Sequence, residues 1–318
     1  MVRGAMRGLQ VRTEDGPEAV VVAGDLPEPD AELVVEVRAA GVSFPDLLMT
    51  RGEYQLRQEL PFTLGWEAAG EVVKAPEGGA FAVGDRVTTM SFGAHAERVA
   101  ALPDTTSPLP AELSFEEGAA LPLNYLTALA ALDRRGGLAA GETVLVHGAA
   151  GGVGTACVQV AKALGAEVVA VVSTEEKGEV ARAAGADSVA LGEGFREQLA
   201  GPVDMVVDPV GGTERFKESL RALRSEGRIV VVGFTSGEIP EVRVNRLLLR
   251  NVDVRGCSFG VLATDPEGVA RAGARLAELI ASGAVRPVVG STYPLEEGVE
   301  ALRELDERRA RGKVVITP

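Results

Sequence analysis

Cysteine and histidine are scarce in this chain of 318 residues, which has only 2 of each. Cys157 and Cys257 stand in separate apolar contexts, so neither a disulfide framework nor a four-cysteine zinc lobe can be built from them. Two isolated cysteines that form no disulfide are typical of a protein in the reducing cytoplasm. His95 and His147 are predicted in a strand hairpin and beside a glycine-rich turn, where we interpret each as structural rather than as a metal ligand.

The sequence also lacks any apolar run approaching the roughly 18 residues of a membrane span. Its N-terminus shows no cationic segment followed by an apolar one. The formal net charge of −14 disfavours nucleic acid and anionic membranes. We therefore expect a cytoplasmic protein without nucleic-acid or membrane partners. One basic cluster, Arg308, Arg309, Arg311 and Lys313, follows a predicted helix and is interpreted as the complement of its C-terminal dipole.

The composition, with 46% hydrophobic and 25% charged residues, is typical of a soluble globular protein. The length exceeds that of one compact domain, so two packed units are expected. From Leu9 to about Ala120, short β-rich runs are broken by Gly and Pro, which predicts an irregular, mostly antiparallel, barrel-like unit. The predicted strands of this part are Ala19–Val22, Leu33–Ala39, Ala69–Lys74 and Arg86–Ser91.

From about Leu121 apolar strands alternate with amphipathic helices, which predicts βαβ units and a parallel sheet. The strands predicted here are Thr143–His147, Glu167–Val172, Ser188–Ala190, Met205–Asp208, Arg228–Gly233 and, at or near the sheet edge, Asn251–Cys257.

The tail after Asp265 has a different pattern and is predicted to return to the first unit. Its predicted elements are a helix over Gly268–Ser282, short strands around Val285–Val289, a helix over Leu295–Arg309 and a strand over Lys313–Thr317. The resulting domains are residues 1–122 with 267–318, and an inserted domain over residues 123–266.

A glycine-rich turn follows the first strand of the inserted domain. Thr143–His147 runs directly into Gly148-Ala-Ala-Gly151-Gly152-Val153-Gly154, and a helix is predicted to begin near Val153. Ala149 replaces the first glycine of the usual GxGxxG pattern. The prediction of a dinucleotide-binding turn therefore depends on the strand and helix that flank it.

Each residue of this turn has an expected role. Gly151 and Gly152 remove side chains that would keep a pyrophosphate from the backbone N–H groups, including that of Val153. Gly154 lets the helix pack closely on the strand. The positive end of the helix then faces the phosphates.

The end of the strand Glu167–Val172 indicates which dinucleotide binds. An acidic residue about 20 residues after the glycines usually binds the ribose 2′-hydroxyl of NADH. This chain has Ser173 and Thr174 there, with Lys177 one turn further on. Hydroxyls and a cation suit a 2′-phosphate, which an aspartate would repel. Two intervening glutamates oppose this effect, but NADPH is the expected cofactor.

With these residues in place, the whole chain resembles the quinone oxidoreductase branch of the medium-chain dehydrogenase/reductase superfamily. Besides the glycine turn, the resemblance is carried by Gly41-Val-Ser-Phe-Pro-Asp46, Pro61-Phe-Thr-Leu-Gly65-Trp-Glu67-Ala-Ala-Gly70, Val83-Gly-Asp-Arg86 and Leu121-Pro-Leu-Asn124-Tyr-Leu-Thr127-Ala. It implies an α/β fold class: a doubly wound Rossmann sheet inserted in a GroES-like, mostly β catalytic domain, with an active-site cleft where the two meet.

Superfamily members that oxidise alcohols usually hold zinc through a cysteine near the first of these segments and the histidine of a Gly-His-Glu motif. The corresponding positions here are Ser43 and Trp66, and neither a hydroxyl nor an indole replaces those ligands. We therefore expect no metal. Without a Lewis acid, the implied reaction is hydride transfer from NADPH to a quinone or conjugated carbonyl, whose charge spreads onto a remote oxygen.

The resemblance also suggests individual site residues. Tyr54 is expected near the nicotinamide and substrate, where its phenol donates a hydrogen bond or relays a proton, or else only packs in the cleft wall. Ser43 and Asp46 are further catalytic candidates, although Asp46 equally fits local backbone donors. Thr127 resembles a threonine close to the cofactor, with an ordinary helix hydroxyl as its alternative.

Two later strand ends are also implicated. Backbone groups around Phe234, Ser258 and Phe259 are expected to bind the nicotinamide carboxamide, as in relatives. Asp208, at another strand end, is interpreted as structural.

Two other functions stay open. An enoyl thioester reductase uses the same hydride chemistry, but it needs a channel for a pantetheine arm with basic residues at its mouth, which the sequence offers only around Arg308–Lys313. A catalytically silent nucleotide-binding relative is the second, which the intact Tyr54 and glycine turn disfavour. From the resemblance we also expect a homodimer, paired through the edge strand Asn251–Cys257.

Overall fold

A computed structural model describes residues 5–318 of the chain. The chain forms two compact units: unit 1 runs up to Leu123 and resumes over Pro287–Pro318, and unit 2 is Asn124–Arg286. Residues 1–4 of the predicted range 1–122 lie outside the described part.

The strands, in chain order, are β1 (Met6–Val11), β2 (Val20–Leu26), β3 (Leu33–Val42), β4 (Phe62–Thr63), β5 (Glu67–Lys74), β6 (Arg86–Met90), β7 (Arg98–Ala101), β8 (Thr106–Pro108), β9 (Thr143–His147), β10 (Glu167–Val172), β11 (Ser188–Leu191), β12 (Val203–Asp208), β13 (Leu223–Val231), β14 (Asp253–Gly256), β15 (Val289–Pro294) and β16 (Lys313–Thr317). The α-helices are α1 (Phe44–Thr50), α2 (Phe115–Ala119), α3 (Pro122–Leu129), α4 (Gly152–Ala163), α5 (Glu175–Ala183), α6 (Thr213–Ala222), α7 (Asn245–Leu248), α8 (Phe259–Leu262), α9 (Pro266–Ala281) and α10 (Gly298–Asp306).

Unit 1 consists mainly of antiparallel strands. Its larger sheet has the order β15-β16-β3-β5-β6-β8, with β7 also paired to β3. The strands β15 and β16 run parallel, whereas β16 pairs antiparallel with β3. A smaller sheet has the order β2-β1-β4. Buried side chains of β3 and β5, such as Val35, Val37 and Ala68, form part of the core. The mostly β, GroES-like domain that the sequence predicts is confirmed.

Unit 2 contains a six-stranded parallel sheet with the order β11-β10-β9-β12-β13-β14. Numbered from β9 this is 3-2-1-4-5-6, the order of doubly wound dinucleotide-binding folds. β12 is buried at every position and β10 at all but its first, because such sheets are covered on both faces. β14 lies at the edge, as predicted, and is largely exposed. The Rossmann prediction is confirmed.

The chain returns from unit 2 to unit 1 later than the predicted boundary at residue 266. The helix α9 stays in unit 2, where Asp265 caps it by accepting from the Gly268 N–H at 2.9 Å and pairs with Arg134 at 3.0 Å. Leu276 and Leu279 are its buried residues. Side-chain contacts with unit 2 continue as far as Arg286, so the return to unit 1 begins at Pro287.

Two tail elements differ from their predicted bounds. The strand expected around Val285–Val289 begins only at Val289, because the backbone N–H and C=O of Arg286 bind a side chain instead of a neighbouring strand. The helix expected over Leu295–Arg309 begins with a 3₁₀ turn and ends at Asp306, shortly before Arg308 adopts a φ of 55°.

Within residues 5–318, the structure shows no helix that is both long enough and apolar enough to span a lipid bilayer.

Candidate active site

The glycine turn lies at the carboxyl end of β9. Gly151 is the N-cap of α4, and its carbonyl accepts from the Thr155 N–H at 2.8 Å. Gly148 has a φ of 59°, a left-handed conformation that favours glycine, and its carbonyl accepts from the Gly151 N–H at 3.0 Å. The turn therefore presents the N-terminus of a 12-residue helix at the carboxyl edge of the parallel sheet.

Close contacts explain why the turn requires glycines. A Cβ on Gly154 would lie 2.1 Å from the Gly148 carbonyl oxygen, and one on Gly152 would lie 2.6 Å from Asn124 Nδ2. A Cβ on Gly151 would meet nothing nearer than the Gly148 oxygen at 3.6 Å, an ordinary contact. Gly154 is thus required by packing and Gly152 by Asn124, whereas Gly151 only leaves open the space in front of the helix.

Asn124 is a residue that the sequence reasoning did not single out. It is buried on α3 against Gly152. Thr127, a predicted cofactor residue, is also buried and lies three residues further on, on the same face of α3. The sequence shows the two residues only as members of the segment Asn124-Tyr-Leu-Thr127. The contact between α3 and the glycine turn cannot be predicted from the spacing of residues.

Ser173 and Thr174 follow β10, the strand paired with β9, and both are exposed. Thr174 is the N-cap of α5, where its Oγ1 accepts from the Lys177 N–H at 3.3 Å. A hydroxyl that accepts one hydrogen bond keeps its proton for donation. The predicted residues of the 2′-phosphate site therefore lie together, at the same sheet edge as the glycine turn.

The loop after β12 is organised by Asp208, which is fully buried. Its Oδ1 accepts from the N–H groups of Val210 and Gly211, both at 2.9 Å. Burial raises the pKa of Asp208, and these two donors oppose that effect. Its Oδ2 has no hydrogen-bond partner among residues 5–318. The carboxyl thus shapes the loop, as the structural interpretation predicts.

Phe234, Ser258 and Phe259 follow β13 and β14 at this same edge. The Phe234 ring lies beside Gly211, where a Cβ would be 2.9 Å from Phe234 Cδ1. The Phe234 carbonyl accepts from the Gly237 N–H at 2.8 Å. Ser258 is the exposed N-cap of α8, and Phe259 is half-buried. The predicted cofactor residues of unit 2 therefore all lie near the carboxyl ends of its strands or beside the glycine turn.

In unit 1, Ser43 and Asp46 are joined at the start of α1. Asp46 Oδ2 accepts from the Ser43 N–H at 2.8 Å and from the Ser43 hydroxyl at 2.5 Å, and Asp46 Oδ1 accepts from the Gly65 N–H at 3.0 Å. Asp46 is fully buried. These bonds are the local backbone role that the sequence offers as the alternative to catalysis, and a catalytic role of Ser43 and Asp46 stays a prediction.

Tyr54 is half-buried and lies edge-on to Trp66, with ring centroids 6.0 Å apart. Trp66 in turn lies edge-on to Phe92 at 5.2 Å. Burial, and secondly the charge of Asp46, raise the pKa of Tyr54. The phenol is therefore protonated at neutral pH and able to donate.

The two histidines are buried, and each has one bound ring nitrogen. His95 Nε2 lies 3.2 Å from the Gly41 carbonyl, and His147 Nε2 lies 2.8 Å from Ser219 Oγ. Both Nδ1 atoms have no partner among residues 5–318, so each ring has a hydrogen bond at only one of its two nitrogens. Burial, and secondly the charge of Arg215, lower the pKa of His147 to about 3. Within the described residues, no three His, Cys, Asp or Glu side chains are grouped to hold a metal ion.

Lys313 does not belong to the predicted helix-end cluster. It lies in β16 and forms a buried ion pair with Glu67 of β5. Glu67 Oε2 also accepts from the Leu123 N–H at 2.8 Å. A Cβ on Gly41 would lie 2.5 Å from Lys313 Cε and 2.8 Å from Glu67 Oε1, so glycine makes room for the pair.

Comparison with known proteins gives the same division of the chain. Residues 29–111 match the family "Alcohol dehydrogenase GroES-like domain", and residues 152–277 match "Zinc-binding dehydrogenase". The quinone oxidoreductase-like protein 2 of Bos taurus is 37% identical over 297 residues, which cover 90% of this chain and 85% of that protein.

Solved structures extend the similarity over the whole length. A probable oxidoreductase from Mycobacterium abscessus is 44% identical with a TM-score of 0.90, covering 99% of this chain and 100% of its own. A mycobacterial protein solved in complex with NADPH is 33% identical with a TM-score of 0.91, again covering 99% and 100%. The chain therefore belongs to the quinone oxidoreductase branch of the medium-chain dehydrogenase/reductase superfamily.

Proposed function

We propose that this oxidoreductase transfers hydride from NADPH to a quinone or to an activated alkene such as a conjugated carbonyl, without a metal ion. The observation that carries the proposal is the glycine turn at the N-terminus of α4, beside a β10 end that bears hydroxyls where an NADH enzyme bears an acid. The bound nicotinamide would supply two electrons as hydride, and a proton completes the reduction of the acceptor.

Gly151, Gly152 and Val153 would bind the pyrophosphate through the backbone and the helix N-terminus. Ser173 and Thr174 would donate to the 2′-phosphate, with Lys177 supplying positive charge. The mycobacterial relative in complex with NADPH supports this choice of cofactor.

Tyr54 is the proposed donor to the acceptor oxygen. Its raised pKa keeps the phenol protonated at neutral pH, so it can stabilise the negative charge that hydride addition places on a carbonyl oxygen. Ser43 and Asp46 would act through structure: their hydrogen bonds fix the start of α1 and the chain at Gly65.

The metal-free reaction is proposed from the donor set. Ser43, at one position that holds zinc in relatives, already donates its hydroxyl to Asp46, and Trp66 at the other offers no lone pair for a metal. Metal analysis of the purified protein tests this: zinc retained at one equivalent, and lost in Ser43→Ala, would contradict it.

The activity is tested by following NADPH oxidation with menadione, crotonaldehyde and crotonyl coenzyme A, with NADH in parallel. We expect turnover with menadione or crotonaldehyde and a clear preference for NADPH. Turnover only with the thioester would establish the enoyl thioester reductase alternative. Cofactor binding without turnover of any acceptor would identify a silent nucleotide-binding relative.

A matched pair of variants tests the cofactor preference. Ser173→Asp should weaken NADPH binding by repulsion of the 2′-phosphate and improve NADH binding by accepting from the ribose hydroxyls. Ser173→Asn, which has a similar shape and no charge, is the control. Equal affinities for the two cofactors in the unaltered protein would contradict the assignment.

We also propose a homodimer paired through the edge strand β14. Exposed apolar side chains occur in this strand, at Val254, and shortly before it in the chain, at Leu248 and Leu249, and an uncovered edge invites pairing. Light scattering should give the mass of a dimer, and Val254→Lys should give a monomer with an unchanged circular dichroism spectrum. A monomeric unaltered protein would contradict this proposal without touching the enzymatic one.

A further inference from the structure

Half-buried aromatic side chains are grouped in unit 1 of a chain that has only 4% aromatic residues and 1 tryptophan. The rings of Tyr54, Trp66 and Phe92 form what we call the aromatic wall, with Trp66 in edge-to-face contact with both others at 6.0 and 5.2 Å. Each ring is partly exposed and packs from outside on a buried cluster that includes Leu64 and Ile316.

The position of Trp66 within the wall is fixed by backbone hydrogen bonds on both sides. The N–H of the preceding Gly65 donates to Asp46 Oδ1 at 3.0 Å, and the Trp66 carbonyl accepts from the Ser91 N–H at 3.0 Å. The backbone next to Trp66 is therefore held by the same carboxyl that fixes the start of α1.

The indole Nε1 is a second, independent observation. It is shielded from solvent and has no hydrogen-bond acceptor within residues 5–318. Buried polar groups in proteins are almost always paired, so a donor left unpaired calls for a partner from elsewhere. A carbonyl oxygen of a bound acceptor, reached by a small shift of the ring, is such a partner.

From these contacts we infer that Trp66 determines acceptor specificity: the aromatic wall binds the planar ring of a quinone and favours it over a linear enal or thioester. The inference rests on the proposed function, which places the acceptor beside Tyr54. Electron-poor rings stack well on the electron-rich faces of indole and phenol, whereas a linear acceptor has no ring to stack.

Steady-state kinetics with Trp66→Leu, Trp66→Phe and a matched control test the inference. Phe62→Leu is the control, because Phe62 is buried and contacts Phe92 from behind the wall at 6.0 Å. Trp66→Leu should lower kcat/KM for menadione roughly fivefold to tenfold, the size of a lost aromatic contact, and change that for crotonaldehyde much less. Trp66→Phe should retain more of the menadione activity, and Phe62→Leu should affect both acceptors alike. Equal losses for both acceptors in Trp66→Leu, or no loss for menadione, would overturn the inference.

A binding measurement separates this inference from the proposed function. Because Trp66 is the only tryptophan, its fluorescence reports on this ring alone. Menadione should quench it saturably, and crotonaldehyde should not. Quenching that rises linearly without saturation would show random collisions and overturn the inference, even in an active enzyme. Saturable quenching without NADPH oxidation would instead uphold the ring site while the proposed reaction fails.

Discussion

Gln159 holds Arg286 by both of its backbone groups. The Gln159 Nε2 donates to the Arg286 carbonyl at 2.8 Å, and its Oε1 accepts from the Arg286 N–H at 3.0 Å. The buried hydroxyl of Tyr125 donates to the same Oε1 at 2.9 Å. The Gln159 side chain thus forms the two backbone hydrogen bonds that a neighbouring strand would form with Arg286, the last residue of unit 2.

Gln159→Leu should therefore destabilise unit 2 by about 1–3 kcal/mol, since it removes the 2.9 Å acceptor of the buried Tyr125 hydroxyl, whose other acceptor, the Arg286 carbonyl, is 3.5 Å away. Urea unfolding and amide hydrogen exchange at Arg286 measure the effect. The control is Gln198→Leu, because exposed Gln198 binds both backbone groups of Leu191 at 2.9 and 3.0 Å, where water can replace it. Equal losses in the two variants would contradict the contribution of the buried Tyr125 hydroxyl.

Alanine substitutions at two glycines of the turn should have different effects, one on stability and the other on cofactor binding. Gly154→Ala places a methyl group 2.1 Å from the Gly148 carbonyl oxygen, so we expect a loss of about 1–3 kcal/mol or more in the free energy of unfolding. Gly151→Ala meets only an ordinary 3.6 Å contact and should fold normally, yet weaken NADPH binding by crowding the pyrophosphate. Thermal unfolding and equilibrium titration with NADPH distinguish the two. A Gly151→Ala variant that binds NADPH normally would argue against this phosphate site.

The buried ion pair predicts a double-mutant cycle. Lys313→Met leaves the Glu67 carboxylate buried without its cation, which should cost about 3–5 kcal/mol. Adding Glu67→Gln should recover much of this, because the amide oxygen still accepts from the Leu123 N–H. The exposed pair of Lys217 and Glu214 is the control, and Lys217→Met should cost no more than about 1 kcal/mol. Additive effects of the two buried substitutions would mean that the pair does not interact energetically.

His147 should make the protein sensitive to acid. Its pKa falls from 6.5 to about 3 on folding, so between these values the unfolded chain binds a proton that the folded chain does not. Stability contributed by the neutral imidazole is thus complete above pH 6.5 and decreases by about 1.4 kcal/mol per unit as the pH falls towards 3.

Urea unfolding at a series of pH values should show this slope in the unaltered protein and a shallower one in His147→Gln. Ser219→Ala is the control, because it removes the hydrogen-bond partner of His147 but keeps the titrating ring. Identical slopes in the unaltered protein and His147→Gln would rule out this histidine as the source.

The sequence predicts unit 2 well because its signals are local. The valine-rich runs of β9, β10 and β12 predict buried strands, and the glycines between β9 and α4 predict a tight turn. The edge position of Asn251–Cys257 could likewise be predicted, since polar residues interrupt this strand, which is largely exposed.

Contacts between distant residues could not be predicted in this way. Lys313 and Glu67 are separated by 246 positions, so Lys313 was grouped with its sequence neighbours at the helix end. The contact of Asn124 with Gly152 and the binding of Arg286 by Gln159 likewise depend on how helices pack. The aromatic wall was missed for the same reason, although Trp66 stands in a segment that carries the resemblance and Tyr54 is a site residue that the resemblance implies.

The position of β16 has a consequence for folding during synthesis. This strand lies between β15 and β3 in the larger sheet of unit 1, yet the ribosome makes it only after all of unit 2. The contiguous unit can therefore fold first, while the sheet of unit 1 waits for an inner strand. Once folded, unit 2 holds its two ends close together, because Asn124 contacts Gly152 and Arg286 binds Gln159 on one helix, about 10 Å apart along its axis. The folded unit 2 then connects the two parts of unit 1 like a short loop. The conformational entropy lost when β16 joins the sheet is therefore smaller than for a long flexible connection.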